Sequence, residues 1–222
     1  TASQKSHLTK ASNKQVSSKQ EYSRNSAKSS SLPDLRKYPS GTPRKKAFLR
    51  TVMPYITSQN AAITAERNWL ISKQYQGQWS PAERARLKDI AKRYKVKWSG
   101  NTRKIPWNTL LERVDIIPTS MVATMAAAES GWGTSKLARN NNNLFGMKCM
   151  KGRCTNAPGK VKGYSQFSSV KESVSAYVTN LNTHPAYSSF RKSRAQLRKA
   201  DQEVTATAMI HKLKGYSTKG KS

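Results

Sequence analysis

The stretch AAAESGWGTSKLARNNNNLFGMK, residues 126–148, decides how this chain is interpreted. It places Glu129 after a run of small apolar residues and directly before Ser-Gly-Trp-Gly. Acidic side chains are scarce nearby, since residues 100–200 contain only four of them: Glu112, Asp115, Glu129 and Glu172. A solvated glutamate does not need this setting, so the carboxyl group of Glu129 is the first candidate for a chemical role.

The residues before Glu129 predict a helix that opens at Pro118. Three apolar residues recur at helical spacing along one face: Val122, Met125 and Ala126. Glu129 continues that spacing, so we expect its carboxylate on the buried face of the helix. Gly131 is well placed as the left-handed terminator.

A carboxyl group at this place is a candidate proton donor. The last turn is the negative end of the helix dipole, which disfavours the ionised form by about 0.3–1 kcal/mol. Partial burial beside Trp132 is expected to disfavour it further. A carboxyl group that stays neutral near neutral pH can protonate a glycosidic oxygen. The alternative is a structural glutamate that accepts hydrogen bonds from backbone donors at a helix junction.

The composition is strongly basic, with 41 Lys and Arg against 11 Asp and Glu and a formal charge of +30. Such a charge attracts polyanions, namely nucleic acid, an anionic membrane surface or an acidic polysaccharide. No apolar run approaches the roughly 18 residues that span a bilayer. Because the chain begins with Thr1, we expect a processed or trimmed product from which any export signal has been removed.

Two regions are predicted along the chain. Residues 1–42, rich in Ser and Lys, are expected to be a disordered basic tail that tethers the protein to an anionic envelope surface or serves as a spacer. Residues 43–222 form the domain, which we expect to be monomeric. Capping boxes begin at Ser80 and Ser169, Pro54 is expected to kink or interrupt the first helix, and Asp201 is expected to cap the last one.

The fold class predicted is α+β, mainly α, with one small β-hairpin lobe. NLFGMKCM and VKGYSQF are expected to be its strands, with a cleft between this lobe and the helices. Cys149 and Cys154 flank the Lys/Gly turn, where a disulfide would form in an oxidising compartment and two free thiols are the alternative. The scattered histidines and single cysteine pair predict no metal site, and no cofactor is expected.

Residues 126–148 resemble the signature of the glucosaminidase family of glycoside hydrolases (family 73), an Ala-rich helix ending in Glu-Ser-Gly-Trp-Gly followed by Asn-Leu-Phe-Gly. YVTNLNTHPAYSSFR and GYSTKG resemble its Bax-type branch, named for a bacterial envelope protein. The resemblance covers about residues 43–222. It implies a lysozyme-like fold, location in the periplasm or cell envelope of a bacterium, and cleavage of peptidoglycan glycan strands on the N-acetylglucosamine side.

The same resemblance implies roles for individual residues. Glu129 is the general acid, and Tyr216 faces it from a C-terminal loop, where it steadies the sugar or a water or stabilises the anomeric carbon. Trp132, Asn143 and Phe145 match positions that shape the substrate groove. Packing roles remain open for Tyr216 and Trp132, and Asn143 can simply hold a turn.

The sequence departs from the family pattern in two places. Glycosidases usually use a second carboxylate, about 5–5.5 Å or 6.5–9.5 Å from the first, but residues 149–167 contain no Asp or Glu. Glu172 is the next carboxylate, and its capping box accounts for it. The substrate's own 2-acetamido group is therefore expected to attack the anomeric carbon, or activity is weak or lost. The family's C-terminal apolar helix is expected to be missing after Gly215.

Three other functions remain as alternatives. A lytic transglycosylase shares the lysozyme-like fold and a lone catalytic glutamate but cleaves the other glycosidic bond. A catalytically silent protein would hold anionic envelope polymer by charge alone. A nucleic-acid binder fits the charge, but no recognised module is visible, so no specific nucleic acid is expected as a partner.

Overall fold

The computed structural model describes residues 32–149, 154 and 157–210. Most of these residues are helical, and two short 3₁₀ helices, Leu35–Lys37 and Pro185–Tyr187, accompany the α-helices. The α-helices are α1 (Thr42–Lys73), α2 (Pro81–Arg93), α3 (Trp107–Arg113), α4 (Thr119–Ser130), α5 (Lys136–Asn141), α6 (Val170–Thr183) and α7 (Ser188–Lys199). Among the described helices, none is long and apolar enough to cross a membrane.

Helix α1 is the central helix of the fold, since it packs against both α4 and α6. It runs through Pro54 without a break, so the predicted interruption is wrong. An internal proline lowers the stability of a helix by about 3 kcal/mol or more. Burial of large apolar side chains offsets this loss, because each one stabilises the fold by about 1.5–3 kcal/mol. Six residues of α1 are buried: Ala47, Phe48, Val52, Ile56, Ile63 and Leu70.

The capping box predicted at Ser80 is confirmed. Its hydroxyl accepts a hydrogen bond from the Glu83 amide, and the Glu83 carboxylate accepts one from the Ser80 amide. At the start of α6, Ser169 accepts from the Glu172 amide as predicted. The Glu172 carboxylate, however, accepts from the amide of Ser168, one residue earlier.

Residues 32–41, which the sequence assigns to the tail, contribute to the core. Leu35 is fully buried. A Cβ built on Gly133 would collide with the side chains of Leu35 and Phe48. Gly133 also has a φ of +80°, so a larger residue there would be both strained and obstructed. The packed structure therefore reaches back to Leu35.

The predicted β-hairpin strands are wrong for the described residues. The two segments meet in a single antiparallel bridge between Lys148 and Tyr164. Two backbone hydrogen bonds of 3.0 Å flank it, from Cys149 to Gly163 and from Ser165 to Met147. Residues 150–153 and 155–156, which include most of the predicted turn, lie outside the described residues.

The capping prediction for the last helix is also wrong. Asp201 has a left-handed backbone with a φ of +55° and does not begin a helix. The helical segment starts at residue 206 and continues to residue 210. Thr205 caps it, since its hydroxyl accepts a hydrogen bond from the Ala208 amide at 3.2 Å.

Candidate active site

Glu129 lies in the last turn of α4, and the helix ends at Gly131 as predicted. The φ and ψ of Gly131 are 56° and 50°, which is the left-handed conformation of a helix terminator. Met121, Val122 and Ala126 are buried, but the side chain of Glu129 is exposed. The predicted burial of Glu129 is therefore wrong, because it lies at the edge of the buried face, where it is accessible to a ligand from solvent.

The turn at residues 143–147 brings Gly146 against Glu129. A Cβ built on Gly146 would lie only 3.0 Å from Oε2 of Glu129 and 3.8 Å from its Cδ. Gly146 has a φ of +64°, a conformation that favours glycine. The Glu129 carboxylate therefore packs directly on the Gly146 backbone. This contact joins the beginning and the end of the stretch 126–148.

Asn143 holds this turn from inside the protein. Its side chain is buried, and its Nδ2 donates to the carbonyl groups of Met147 at 2.8 Å and Ser165 at 3.0 Å. Its Oδ1 accepts hydrogen bonds from the amides of Phe145 and Met147. The amide group is thus engaged in shaping the turn, which matches the second role that the sequence left open for Asn143.

Two neighbouring asparagines were missed by the sequence analysis. The Asn141 side chain pairs with the amide and carbonyl groups of Val161, at 2.9 and 3.1 Å. Asn142 ends α5 in a left-handed conformation and donates to the Phe167 carbonyl at 3.1 Å. The run of asparagines therefore attaches the segment 161–167 to α5 by side-chain hydrogen bonds, which add to the single bridge between Lys148 and Tyr164.

The ring of Phe145 stacks on Tyr177 of α6. Their centroids are 4.1 Å apart and the ring planes differ by 5°, and both residues are buried. Burial raises the pKa of the Tyr177 hydroxyl above its usual range, and the charges of Tyr187 and Glu129 raise it further. Tyr177 is therefore a neutral phenol within electrostatic reach of Glu129, and the sequence analysis assigned it no role in the site.

Trp132 lies against the helical core. Its ring meets Phe48 edge-on with centroids 5.6 Å apart, and Nζ of Lys45 lies 5.0 Å from its centroid. It lines an apolar pocket of about 560 Å³ between α1 and α4. Five residues of α4 line this pocket: Ser120, Ala123, Thr124, Ala127 and Ala128. Because successive residues of a helix are about 100° apart, these five lie roughly 100–180° around α4 from Glu129. The pocket therefore opens on a different side of α4 from the Glu129 carboxylate.

The remaining predicted site residues are placed as follows. Cys149 and Cys154 are joined by a disulfide, with their Cα atoms 5.3 Å apart. Tyr216 lies outside the described residues. Glu172 accepts hydrogen bonds from the amide and hydroxyl of Ser168 at the start of α6. Within the described part of the chain, no group of three His, Cys, Asp or Glu residues is arranged to hold a metal ion.

We expect the Gly146→Ala variant to lose activity by about tenfold, because the methyl group displaces the Glu129 carboxylate and small misplacements of catalytic groups are costly. The left-handed backbone adds a strain of about 1–2 kcal/mol. On cell-wall sacculi, the substrate that the resemblance implies, the rate of release of soluble fragments would measure the loss of activity. Thermal unfolding would measure the strain.

Gly159→Ala is the matched control, since Gly159 has a φ of +81° and open space around its Cα. It is expected to carry similar backbone strain without the loss of rate. Equal rates for the two variants would mean that the contact between Gly146 and Glu129 has no role in activity.

No solved structure matches this chain. A family model does: the glucosaminidase model, described as mannosyl-glycoprotein endo-beta-N-acetylglucosaminidase, matches residues 106–221. The match covers more than half of the chain and includes α3 to α7, and so Glu129, the 143–147 turn and Tyr177. Helices α1 and α2 precede it. This chain therefore belongs to the glucosaminidase family, which makes it a member of a glycoside hydrolase family.

Proposed function

We propose that this protein is a peptidoglycan hydrolase of the endo-β-N-acetylglucosaminidase type, within family 73 and its Bax-type branch, acting in the bacterial periplasm or cell envelope. The observation that carries the proposal is the exposed carboxylate of Glu129, held against Gly146 at the end of α4. The formal charge of +30 favours a polyanionic substrate, and the stem peptides attached to the glycan strands of peptidoglycan bear free carboxylates.

In the proposed reaction, Glu129 donates its proton to the glycosidic oxygen as the bond to the anomeric carbon breaks. The oxygen of the substrate's 2-acetamido group attacks that carbon and closes an oxazolinium ring. Water then opens the ring, and the Glu129 carboxylate takes up the proton from this water. Each turnover thus breaks one glycosidic bond, consumes one water and restores the acid.

This substrate-assisted route is favoured because the sequence offers no second carboxylate nearby. Residues 130–171 contain neither Asp nor Glu, and the Glu172 carboxylate is engaged by Ser168. Glycosidases that use the substrate's acetamido group need no protein nucleophile. Tyr216 is proposed to stabilise the positive character that develops at the anomeric carbon.

Product analysis tests the proposed bond specificity. Mass spectrometry of fragments released from purified sacculi is expected to show reducing N-acetylglucosamine ends. Anhydro-muramyl ends would instead establish the lytic transglycosylase, and binding to sacculi without any release would establish a non-catalytic polymer-binding protein.

A glycoprotein substrate gives the matched comparison, because the family description names mannosyl-glycoproteins. The protein should leave an N-glycosylated glycoprotein intact while it digests sacculi. Release of glycans from the glycoprotein, with sacculi untouched, would contradict the proposed substrate.

A further inference from the structure

The 143–147 turn that bounds Glu129 is supported from two sides. Inside the turn, Asn143 makes hydrogen bonds to its backbone. Behind the turn, the ring of Phe145 lies flat on the ring of Tyr177, with 4.1 Å between the centroids. Phe145 directly precedes Gly146, so the position of its ring constrains the backbone that touches the carboxylate.

Helix α6 gives this support its rigidity. Tyr177 is buried in its middle, next to Val174 and Val178, which are also buried. The helix packs against α1 and α7, so the Tyr177 ring cannot shift without disturbing the core. A continuous series of contacts therefore runs from α6 through the two rings and Gly146 to Glu129.

We propose that Tyr177 is a positioning residue for Glu129, because its ring fixes Phe145 and so the Gly146 backbone against which the carboxylate rests. Glu129 is exposed on its other side, so this backbone is a principal restraint on where the carboxylate lies. Catalytic groups must be held within about half an ångström of the productive geometry. The kinetic consequence of this role depends on the proposed function.

The hydroxyl group of Tyr177 is not the principal feature in this role. Burial, followed by the charges of Tyr187 and Glu129, raises the pKa of this hydroxyl, so it carries no charge at physiological pH. The aromatic ring is what stacks on Phe145. Retaining the ring while removing the hydroxyl should therefore retain the positioning.

The kinetic test compares two substitutions at Tyr177. Tyr177→Leu removes the stacked ring and is expected to lower kcat by about 10–100-fold, with KM changed by less than about threefold, because substrate binding does not use the ring. Tyr177→Phe keeps the ring and is expected to remain within about threefold of the wild-type kcat. Phe145→Leu removes the same stack from the other side and should reproduce the fall in kcat.

Tyr94→Leu is the matched control. Tyr94 is also a buried tyrosine, but it ends α2, outside the region matched by the family model. It is expected to lose stability to a similar extent and to keep the wild-type kcat. A folded Tyr177→Leu variant with the wild-type kcat, or an equal loss of kcat in Tyr94→Leu, would overturn the positioning role.

A second measurement is independent of activity. In the wild-type background, Glu129→Gln should shift the NMR amide resonance of Gly146, because the two groups are in contact. This shift should persist in Tyr177→Phe and be lost in Tyr177→Leu. If wild-type protein releases nothing from sacculi, the proposed function fails; an undiminished shift in Tyr177→Leu would refute the positioning role by itself. Should Tyr177→Leu not fold, Tyr177→Met and Phe145→Leu serve the same comparison.

Discussion

Replacing Glu129 with glutamine is expected to lower the rate of fragment release from purified sacculi by about 10²–10⁴-fold, the usual contribution of a general acid. Glutamine keeps the size and planar shape of the side chain, so it can still rest against Gly146, but it has no acidic proton. Because Glu129 is exposed, the free energy of unfolding should change by no more than about 0.5 kcal/mol. Release of soluble fragments, followed over time, measures the rate.

The control for this substitution is Glu203→Gln. Glu203 is also exposed and lies near the end of the described residues, outside the Ala-rich helix and the 143–147 turn. Its rate and its binding to sacculi should equal those of the wild type, and Glu129→Gln should keep the binding while losing the cleavage. Digestion by Glu129→Gln at the wild-type rate would show that Glu129 is not the acid.

Replacing Asp115 with alanine is expected to lower the free energy of unfolding by about 3–5 kcal/mol, the usual cost of removing one partner from a buried ion pair. Asp115 is 1 % exposed and pairs with Arg198 through two hydrogen bonds of 2.8 and 2.9 Å. Arg67 and Arg194 lie 3.5 and 3.9 Å from the same carboxylate. Among the described residues, Asp115 is the carboxylate that pairs with the fully buried guanidinium of Arg194, so its removal leaves that charge unbalanced.

Urea denaturation of Asp34→Ala provides the comparison for this prediction. Asp34 pairs with Arg36 at 2.9 Å on the protein surface, and exposed pairs contribute little to stability. It also caps the 3₁₀ helix Leu35–Lys37 by accepting a hydrogen bond from the Arg36 amide, a contribution that is small beside that of a buried ion pair. Its denaturation midpoint should therefore fall much less than that of Asp115→Ala. Similar midpoints for Asp34→Ala and Asp115→Ala would mean that the buried arginines do not depend on Asp115.

The same cluster makes stability depend on pH. Burial acts to raise the pKa of Asp115, but hydrogen bonds from Arg198 and the charges of Arg194, Arg67 and Arg198 outweigh it. The pKa of Asp115 in the folded protein therefore lies below its usual value. The unfolded state therefore binds the proton more readily. This stabilisation is fully present above the pKa that Asp115 has in the unfolded state. It is lost as the pH falls through the pKa that Asp115 has in the folded protein. Below about pH 4, the wild type should lose stability faster than Asp115→Ala.

Signals carried by adjacent residues were sufficient for much of the secondary structure. Ser80 with Glu83, and Gly131 after the Ala-rich run, determine helix ends because their hydrogen bonds and backbone angles involve only a few neighbouring residues. The strand prediction failed for the opposite reason. Residues 143–150 and 161–167 have the pattern of strands, but their described residues pair through a single bridge, and side-chain hydrogen bonds from Asn141 and Asn143 hold the rest of the second segment.

The sequence by itself determined the helical character of the domain, the glucosaminidase family and the choice of Glu129, because each depends on residue types in a short ordered pattern. Only the tertiary structure decided that Glu129 is exposed, that Gly146 bounds it and that Tyr177 lies behind that contact. It also decided that Trp132 lines a pocket on another side of α4. These facts depend on contacts between residues that are distant along the chain. Such contacts are determined by how the helices pack against one another, and no local sequence pattern encodes that packing.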